Sequence, residues 1–142
     1  MIATQLTVKL QNKPGQLSKV SDLLGDSGIN VKAITTSVHG DGAQVHMVVD
    51  DTKKALDLLR GRGYEILERP VIAVEAPDHP GGLNAILRPL KDANINVEYL
   101  YPAIGKLGDK AVIIVGGDPI ETAVAALKRH YINILNKELF RL

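Results

Sequence analysis

The sequence predicts an α+β fold of two βαββαβ units in tandem, each an antiparallel sheet with its helices on one face. Repetition and pattern predict it. Residues 12–17, Asn-Lys-Pro-Gly-Gln-Leu, are answered by residues 78–83, Asp-His-Pro-Gly-Gly-Leu. Gly28-Ile29-Asn30-Val31 is answered by Asn94-Ile95-Asn96-Val97. Both answers fall at one offset, since 80 − 14 and 96 − 30 are both 66. Two segments at one offset argue for internal duplication. The repeat is too long and too mixed for a helical solenoid. It fits two small domains of roughly 70 residues each, residues 1–69 and 70–142, divided near Arg69-Pro70.

The elements follow in order. Leu6, Val8 and Leu10 alternate with Thr7 and Lys9, the mark of a half-buried strand. Asn12-Lys13-Pro14-Gly15 breaks it. Leu17, Val20, Leu23 and Leu24 recur at helical spacing, and Gly25 to Gly28 ends that helix. Val31, Ala33 and, less regularly, Ile34 and Val38 make a second strand. Gly40-Asp41-Gly42 signals a hairpin, and Ala43, Val45, Met47 and Val49 form a third strand. Asp50-Asp51-Thr52 offers capping oxygens to a helix with the stripe Ala55, Leu56, Leu59. Gly61 and Gly63 stop it, and Tyr64, Ile66 and Leu67 belong to a fourth strand.

The second half repeats this order. Val71 to Val74 is a strand, and Leu83, Ile86, Leu87 and Leu90 are a helix face. Strands over Val97–Ile104 and Ala111–Val115 flank a turn at residues 105–109. Pro119 suits the first helical position after a capping Asp118. Ile120, Ala123, Val124 and Leu127 line the last helix, and Ile132 to Leu139 closes the sheet. Strand, helix, strand, strand, helix, strand is the ferredoxin-like split βαβ order. Pro89 falls inside the third helix, where a proline kinks a helix or ends it early.

Composition narrows the function. The chain has 142 residues, 45% of them apolar, enough for globular cores. Each half alone would be marginal, so the halves are expected to pack on each other or on another chain. The net charge of +1 sets up no field for nucleic acid or an anionic membrane. No cysteine is present, which excludes disulfides and thiolate chemistry and suits the cytoplasm. Met1-Ile2-Ala3-Thr4 lacks the basic and apolar regions of a signal peptide. No apolar run approaches the ~20 residues of a membrane span.

Each Pro-Gly turn joins a strand to a helix N-terminus, where free amides and the helix dipole favour an anion. Glycine lets a ligand approach the backbone. Two residues before each proline stands an acceptor, Asn12 or Asp78, suited to an ammonium. An anion site beside an ammonium acceptor is a receptor for a free amino acid. The plainer reading is that Asn12 and Asp78 cap backbone amides. Asn30 and Asn96, likewise, either contact a ligand or end a helix in the left-handed conformation.

These motifs resemble the ACT domain, a small regulatory module that in many metabolic enzymes binds amino acids. Asn/Asp-x-Pro-Gly-x-Leu, then a helix, then Gly/Asn-Ile-Asn-Val occurs twice here and spans nearly the whole chain. The chain looks like the stand-alone tandem ACT proteins, which carry no catalytic domain. The resemblance implies a ligand between two paired units, the turn of one facing the second strand of the other. Carried over, the turn positions are Asn12, Pro14, Gly15, Gln16 and Leu17, and Asp78, Pro80, Gly81, Gly82 and Leu83. The strand positions are Ile29, Asn30 and Val31, and Ile95, Asn96 and Val97. His79 lies in the second turn, exposed or in contact with the ligand. Asp78 and His79 depart from the family pattern, so the two sites are chemically unequal. If the repeats pair with each other, the Asn12 turn meets Asn96 and the Asp78 turn meets Asn30.

Other chemistries lack their residues. His39, His46, His79 and His130 show no metal-ligand spacing. An RNA-binding sheet of this order needs stacking aromatics, and Val45–Val48 and Val112–Val115 hold none. A small phosphatase needs an arginine in the first turn, and neither turn has one. Tyr99 and Tyr101 share one strand face, for packing or as a pocket wall. The expectation is a cytoplasmic, non-catalytic regulator without cofactor that binds a free amino acid, forms a homodimer and reports to a metabolic enzyme. The alternative is a ligand-free interaction module or regulatory subunit.

Overall fold

Leu6 and Val8 point to one face of the first strand and Gln5 and Thr7 to the other, and that alternation sets the first layer. The protein is represented by a computed structural model that describes residues 2–106 and 108–136. Contacts divide it into Thr4–Arg69 and a second unit that starts at Pro70 and takes in the first residues of the chain.

In the first unit, β1 (Ala3–Gln11) and β2 (Val31–His39) both pair antiparallel with β3 (Gly42–Val49), in the order β2-β3-β1. Leu6 faces Met47 and Val8 faces Val45. The hairpin closes through Gly40 and Asp41, with His39 opposite Gly42 and Gly40 at φ 60°. Helices α1 (Gln16–Asp26) and α2 (Thr52–Gly61) pack side by side over one face. Val20 and Leu24 of α1 and Ala55, Leu56 and Leu59 of α2 share a core with Leu6, Val8, Val45, Met47 and Val49. Leu17 stays outside it, 40% exposed. Asp51 caps α2, accepting from Lys54 N at 3.1 Å. Asp50 instead accepts from Asn30 N at 3.0 Å.

A single strand, β4 (Ile66–Ala76), carries the chain through Arg69-Pro70. This corrects the expectation of two separate strands there. Leu67 to Pro70 are exposed and Val71 to Val74 are buried, so proline sits where backbone extends in the open. Val71-Ile72-Ala73-Val74 is buried on both faces, which explains its unbroken apolar run.

In the second unit, β4 and β5 (Asn96–Pro102) both pair antiparallel with β6 (Ala111–Asp118), in the order β4-β6-β5. Ile72 faces Val115 and Val74 faces Ile113. Helices α3 (Asn84–Asp92) and α4 (Ile120–Arg129) pack together. Their Ile86, Leu90, Ala123 and Leu127 meet Ile72, Val74 and Val115. Pro89 neither ends α3 nor lies at its surface; the helix continues to Asp92 and the ring is buried. Placed six residues into the helix, it deletes one amide donor, that to Ala85 O.

Two further expectations are corrected. Asp118 does not cap α4: it ends β6 opposite Asn96, and Pro119 takes the N-cap with extended φ −76° and ψ 139°. The closing segment is no regular strand among the described residues. Ile134 makes an isolated antiparallel bridge to Val74, supported by Leu135 N to Ala73 O at 2.7 Å. Residues 137–139 of that expected strand lie outside the described residues.

Candidate functional site

The two Pro-Gly turns close in the same backbone conformation. Gly15 and Gly81 each have φ 84°, a left-handed value that L side chains resist. No atom lies within 4 Å of where a Cβ would stand on either glycine, so both are open to an approaching group. Neither α1 nor α3 has a side-chain cap. Asn12 and Asp78 therefore do not serve as caps.

The turns differ in how each helix starts. Helix α1 begins at Gln16, directly after Gly15, whereas α3 begins at Asn84, three residues after Gly81. Lys19 N donates to Gly15 O at 3.0 Å, whereas Ala85 N at the matching place donates to Gly82 O at 3.2 Å. The amide of Gly82 donates to His79 O at 2.9 Å, as Gln16 N does to Lys13 O at 3.4 Å, but a Cβ on Gly82 would collide with Pro77 O. Gly82 thus packs the inside of its turn and its N–H is spent there, leaving Gly81 as the open position. His79 Nδ1 donates to Pro80 O at 2.8 Å, tying the ring to the same turn.

Each turn abuts the tip of a hairpin. Asn12 N donates to Asp41 O at 3.0 Å. Gln11, Asn12, Lys13, Gly40 and Asp41 line a groove of about 400 Å³. In the second unit the hairpin is longer and brings Lys106 to Asp78, Nζ to Oδ2 at 3.4 Å. Both groups are exposed, so the pair adds little stability. It does show that an ammonium fits beside Asp78. Lys106 escaped the sequence reading; its signal was the extra length between β5 and β6.

Within a unit the strand positions do not join the turn. Gln11 pairs with Gly42 at one end of the first sheet, and Val31 pairs with Val49 at the other. Eight residues of β3 separate them, roughly 25 Å. The second unit repeats this separation, with Ala76 opposite Ala111 and Asn96 opposite Asp118. Ile29 and Ile95 are core residues with buried side chains, and Val31 and Val97 pack against the cores half-buried. Asn30 and Asn96 are exposed. The left-handed residues at the helix ends are Gly28 and Asn94, at φ 72° and 58°, not Asn30 or Asn96. Directly after each Asn-Val pair the strand bulges, at Lys32 and at Glu98. The bulges share the repeat offset, 98 − 32 = 66, and carry opposite charges. A bulge re-aims side chains locally, and the broken alternation after Val31 was its trace in the sequence.

A polar network also went unread. Gln5, Thr7 and His46 are buried on the helix-free face of the first sheet. Thr7 Oγ1 lies 3.0 Å from His46 Nδ1, Gln5 Nε2 lies 3.5 Å from it, and Ser37 Oγ lies 3.3 Å from Nε2. Burial, and then His39, lower the pKa of His46. The matching face of the second unit is apolar, with Ala73, Ile114 and Tyr101 buried. Burial, followed by the Tyr99 charge, raises the Tyr101 pKa. Tyr101 is thus a packing residue. Tyr99 lies across from Gly116, where a Cβ would strike its ring.

Among the described residues no three His, Asp or Glu side chains gather as a metal site needs, and no helix is long and apolar enough to cross a membrane. A family model described as an ACT domain pair matches residues 1–142. Among solved structures, protein BT0572 from Bacteroides thetaiotaomicron is 25% identical with a TM-score of 0.92, over 100% of this chain and 98% of that one. The ligand-free regulatory subunit of aspartate kinase from Thermus thermophilus has a TM-score of 0.67 at 20% identity, over 91% of this chain and 93% of that one. Its counterpart from Thermus flavus has a TM-score of 0.59 at 18% identity, over 92% of each chain. At those identities the two subunits share the fold. No curated protein sequence matches. The duplicated turns, the βαββαβ order and a family match over the full length converge, and the chain belongs to the ACT domain pair family.

Proposed function

We propose that this regulatory ACT protein is non-catalytic and binds a free amino acid at its Pro-Gly turns. One observation carries the reading: two helix N-termini without side-chain caps, each preceded by an open left-handed glycine at φ 84°. The carboxylate takes the amides beside Gly15 or Gly81, where the helix dipole favours it. The ammonium goes to Asn12 or Asp78. Asn30 or Asn96 completes the clamp from a paired ACT unit, as the family resemblance implies. Ligand binding then stabilises one packing of paired units, and a metabolic enzyme partner reads that packing. A cytoplasmic setting belongs to the same proposal. Calorimetric titration of the chain with the twenty amino acids tests it. Binding of a restricted set, weakened by Asp78→Ala or Asn12→Ala, is the expected result. Absence of heat with every amino acid overturns it.

A second reading, a protein-interaction module, has its own observation. Exposed apolar side chains recur at the repeat offset: Leu17 with Leu83, Ile34 with Leu100, Val38 with Ile104. Ile34 and Val38 lie on β2, Leu100 on β5 and Ile104 two residues beyond it, and each of these strands is last in the order of its unit. Docking onto a partner enzyme, or onto a second copy, covers such positions. Retention of enzyme binding by a variant that binds no amino acid favours this reading.

A further inference from the structure

The helical side of the second unit holds a groove that shares only Gly81 with the amino-acid reading. It measures about 430 Å³ and is lined by Gly81, by Asn84, Ala85, Arg88 and Pro89 of α3 and by His130 and Ile132 beyond α4. Small-ligand sites span roughly 300–1,000 Å³, so a compact molecule fits. Its lining separates by chemistry. Arg88 and His130 supply the cationic or donor groups, and no acidic side chain lines the groove. Ala85, Pro89 and Ile132 supply an apolar wall. His130 Nδ1 donates to Ala126 O at 2.9 Å, which fixes the ring, so that Nε2 donates to an anion only when the ring is the imidazolium. Arg88 has no ion pair or hydrogen bond among the described residues.

The duplication shows that this lining is particular to one copy. Arg88 corresponds to Asp22 of α1, because 88 − 22 = 66. After the longer hairpin the offset becomes 68. It is marked by the helix C-caps Arg62 and His130, since 130 − 62 = 68. Ile132 then answers Tyr64, and both pack at the edge of their cores. The first unit thus places an acid where the second places an unpaired guanidinium. Fold maintenance alone does not ask for that reversal, because neither position is buried.

We propose that this groove is a separate binding site for a small amphiphilic anion. A carboxylate or phosphate head meets Arg88 and His130, and a short apolar body lies on Ala85, Pro89 and Ile132. Arginine suits either head through its planar fork of donors. The test is a nuclear magnetic resonance titration of the whole chain with hexanoate and, separately, with inorganic phosphate. Hexanoate is expected to shift the amides of residues 84–88 and 130–132 in a saturable way. Arg88→Ala should weaken that binding about tenfold, as loss of a charge-assisted contact does. His130→Ala should weaken it less. Saturable shifts with phosphate and none with hexanoate also support the site and identify the head as phosphate. No shift with either probe, or equal binding by wild type and Arg88→Ala, overturns the proposal. Gly81 borders both sites, so the amides of residues 78–83 are followed in the same titration. Hexanoate shifts that persist in Asp78→Ala and vanish in Arg88→Ala belong to this groove. Shifts that vanish in Asp78→Ala and persist in Arg88→Ala belong to the amino-acid turn and overturn the proposal.

Discussion

Gly81 and Gly82 are adjacent, yet the structure asks different things of them. Gly81 needs only its left-handed φ, with open space above it. Gly81→Ala is therefore expected to cost about 1 kcal/mol of stability. Gly82 has no room for a Cβ, which would meet Pro77 O, part of the backbone. Gly82→Ala forces the turn apart and should cost about 1–3 kcal/mol. Urea unfolding of both variants checks the order, and equal losses would refute the distinction. Asp78 differs again. Its carboxylate is exposed and meets Lys106 only at the surface. Asp78→Ala should change stability by less than about 0.5 kcal/mol. Amino-acid binding at that turn should fall by about 1.5–3 kcal/mol, the worth of a hydrogen bond to a charged group. Calorimetry showing unchanged affinity would reduce Asp78 to a surface acid.

At the scale of elements, β3 carries the pH dependence. His46 is buried with Nδ1 facing Gln5 Nε2 and Nε2 facing Ser37 Oγ. The amide of Gln5 is a donor, so Nδ1 must accept and the neutral ring fits. Protonation sets donor against donor and buries a charge. Burial first, and the neighbouring His39 second, lower the pKa of His46 below the ordinary 6.5 in the folded state. The unfolded chain then binds the extra proton as pH drops through 6.5, and the folded chain does not. Stability from this group is complete above about pH 7. It declines through 6.5 down to the lowered folded value and is level below that. Urea unfolding from pH 7 to 5 should show this slope, and His46→Asn should flatten it.

His46 also shows what the sequence could not reveal. Its place in the alternating run Val45 to Val49 was legible, and so was the strand. Its partners were not, because Thr7 and Gln5 come from another strand whose register no local pattern states. The same limit explains β4: a proline and two charged residues read as a break, but exposed extended backbone tolerates them. That Gly82 folds inside the turn before α3 is a fact of three-dimensional collision. The turns, helices and hairpins, by contrast, were legible because proline, glycine and apolar spacing act locally. The site was half legible. The motif residues could be named, but not that β3 separates Asn12 from Asn30 within one unit. The resemblance, rather than spacing, had already placed those groups on different units.

For the whole molecule, the duplicated exposure argues for assembly. Val38, near the end of β2, and Ile104, two residues beyond β5, are 62% and 67% exposed at matching places of the repeat. Ile34 and Leu100 accompany them at the same offset. Scattered exposed apolar residues need no explanation. Pairs recurring in both copies are not scattered, and these lie on or just beyond the strand at the end of each unit's order, where an edge invites another strand. A homodimer that covers these strands is the expected state. Light scattering at micromolar concentration should give twice the 15.3 kDa chain mass. Val38→Asp combined with Ile104→Asp should shift the mass toward one chain. Circular dichroism should remain unchanged, because both side chains point away from the cores. If paired units build the amino-acid site across two copies, the same double variant loses amino-acid binding as it dissociates. If the site is built within one chain, binding survives in the monomer. A wild-type chain that scatters as a monomer with full amino-acid affinity would exclude assembly from the mechanism.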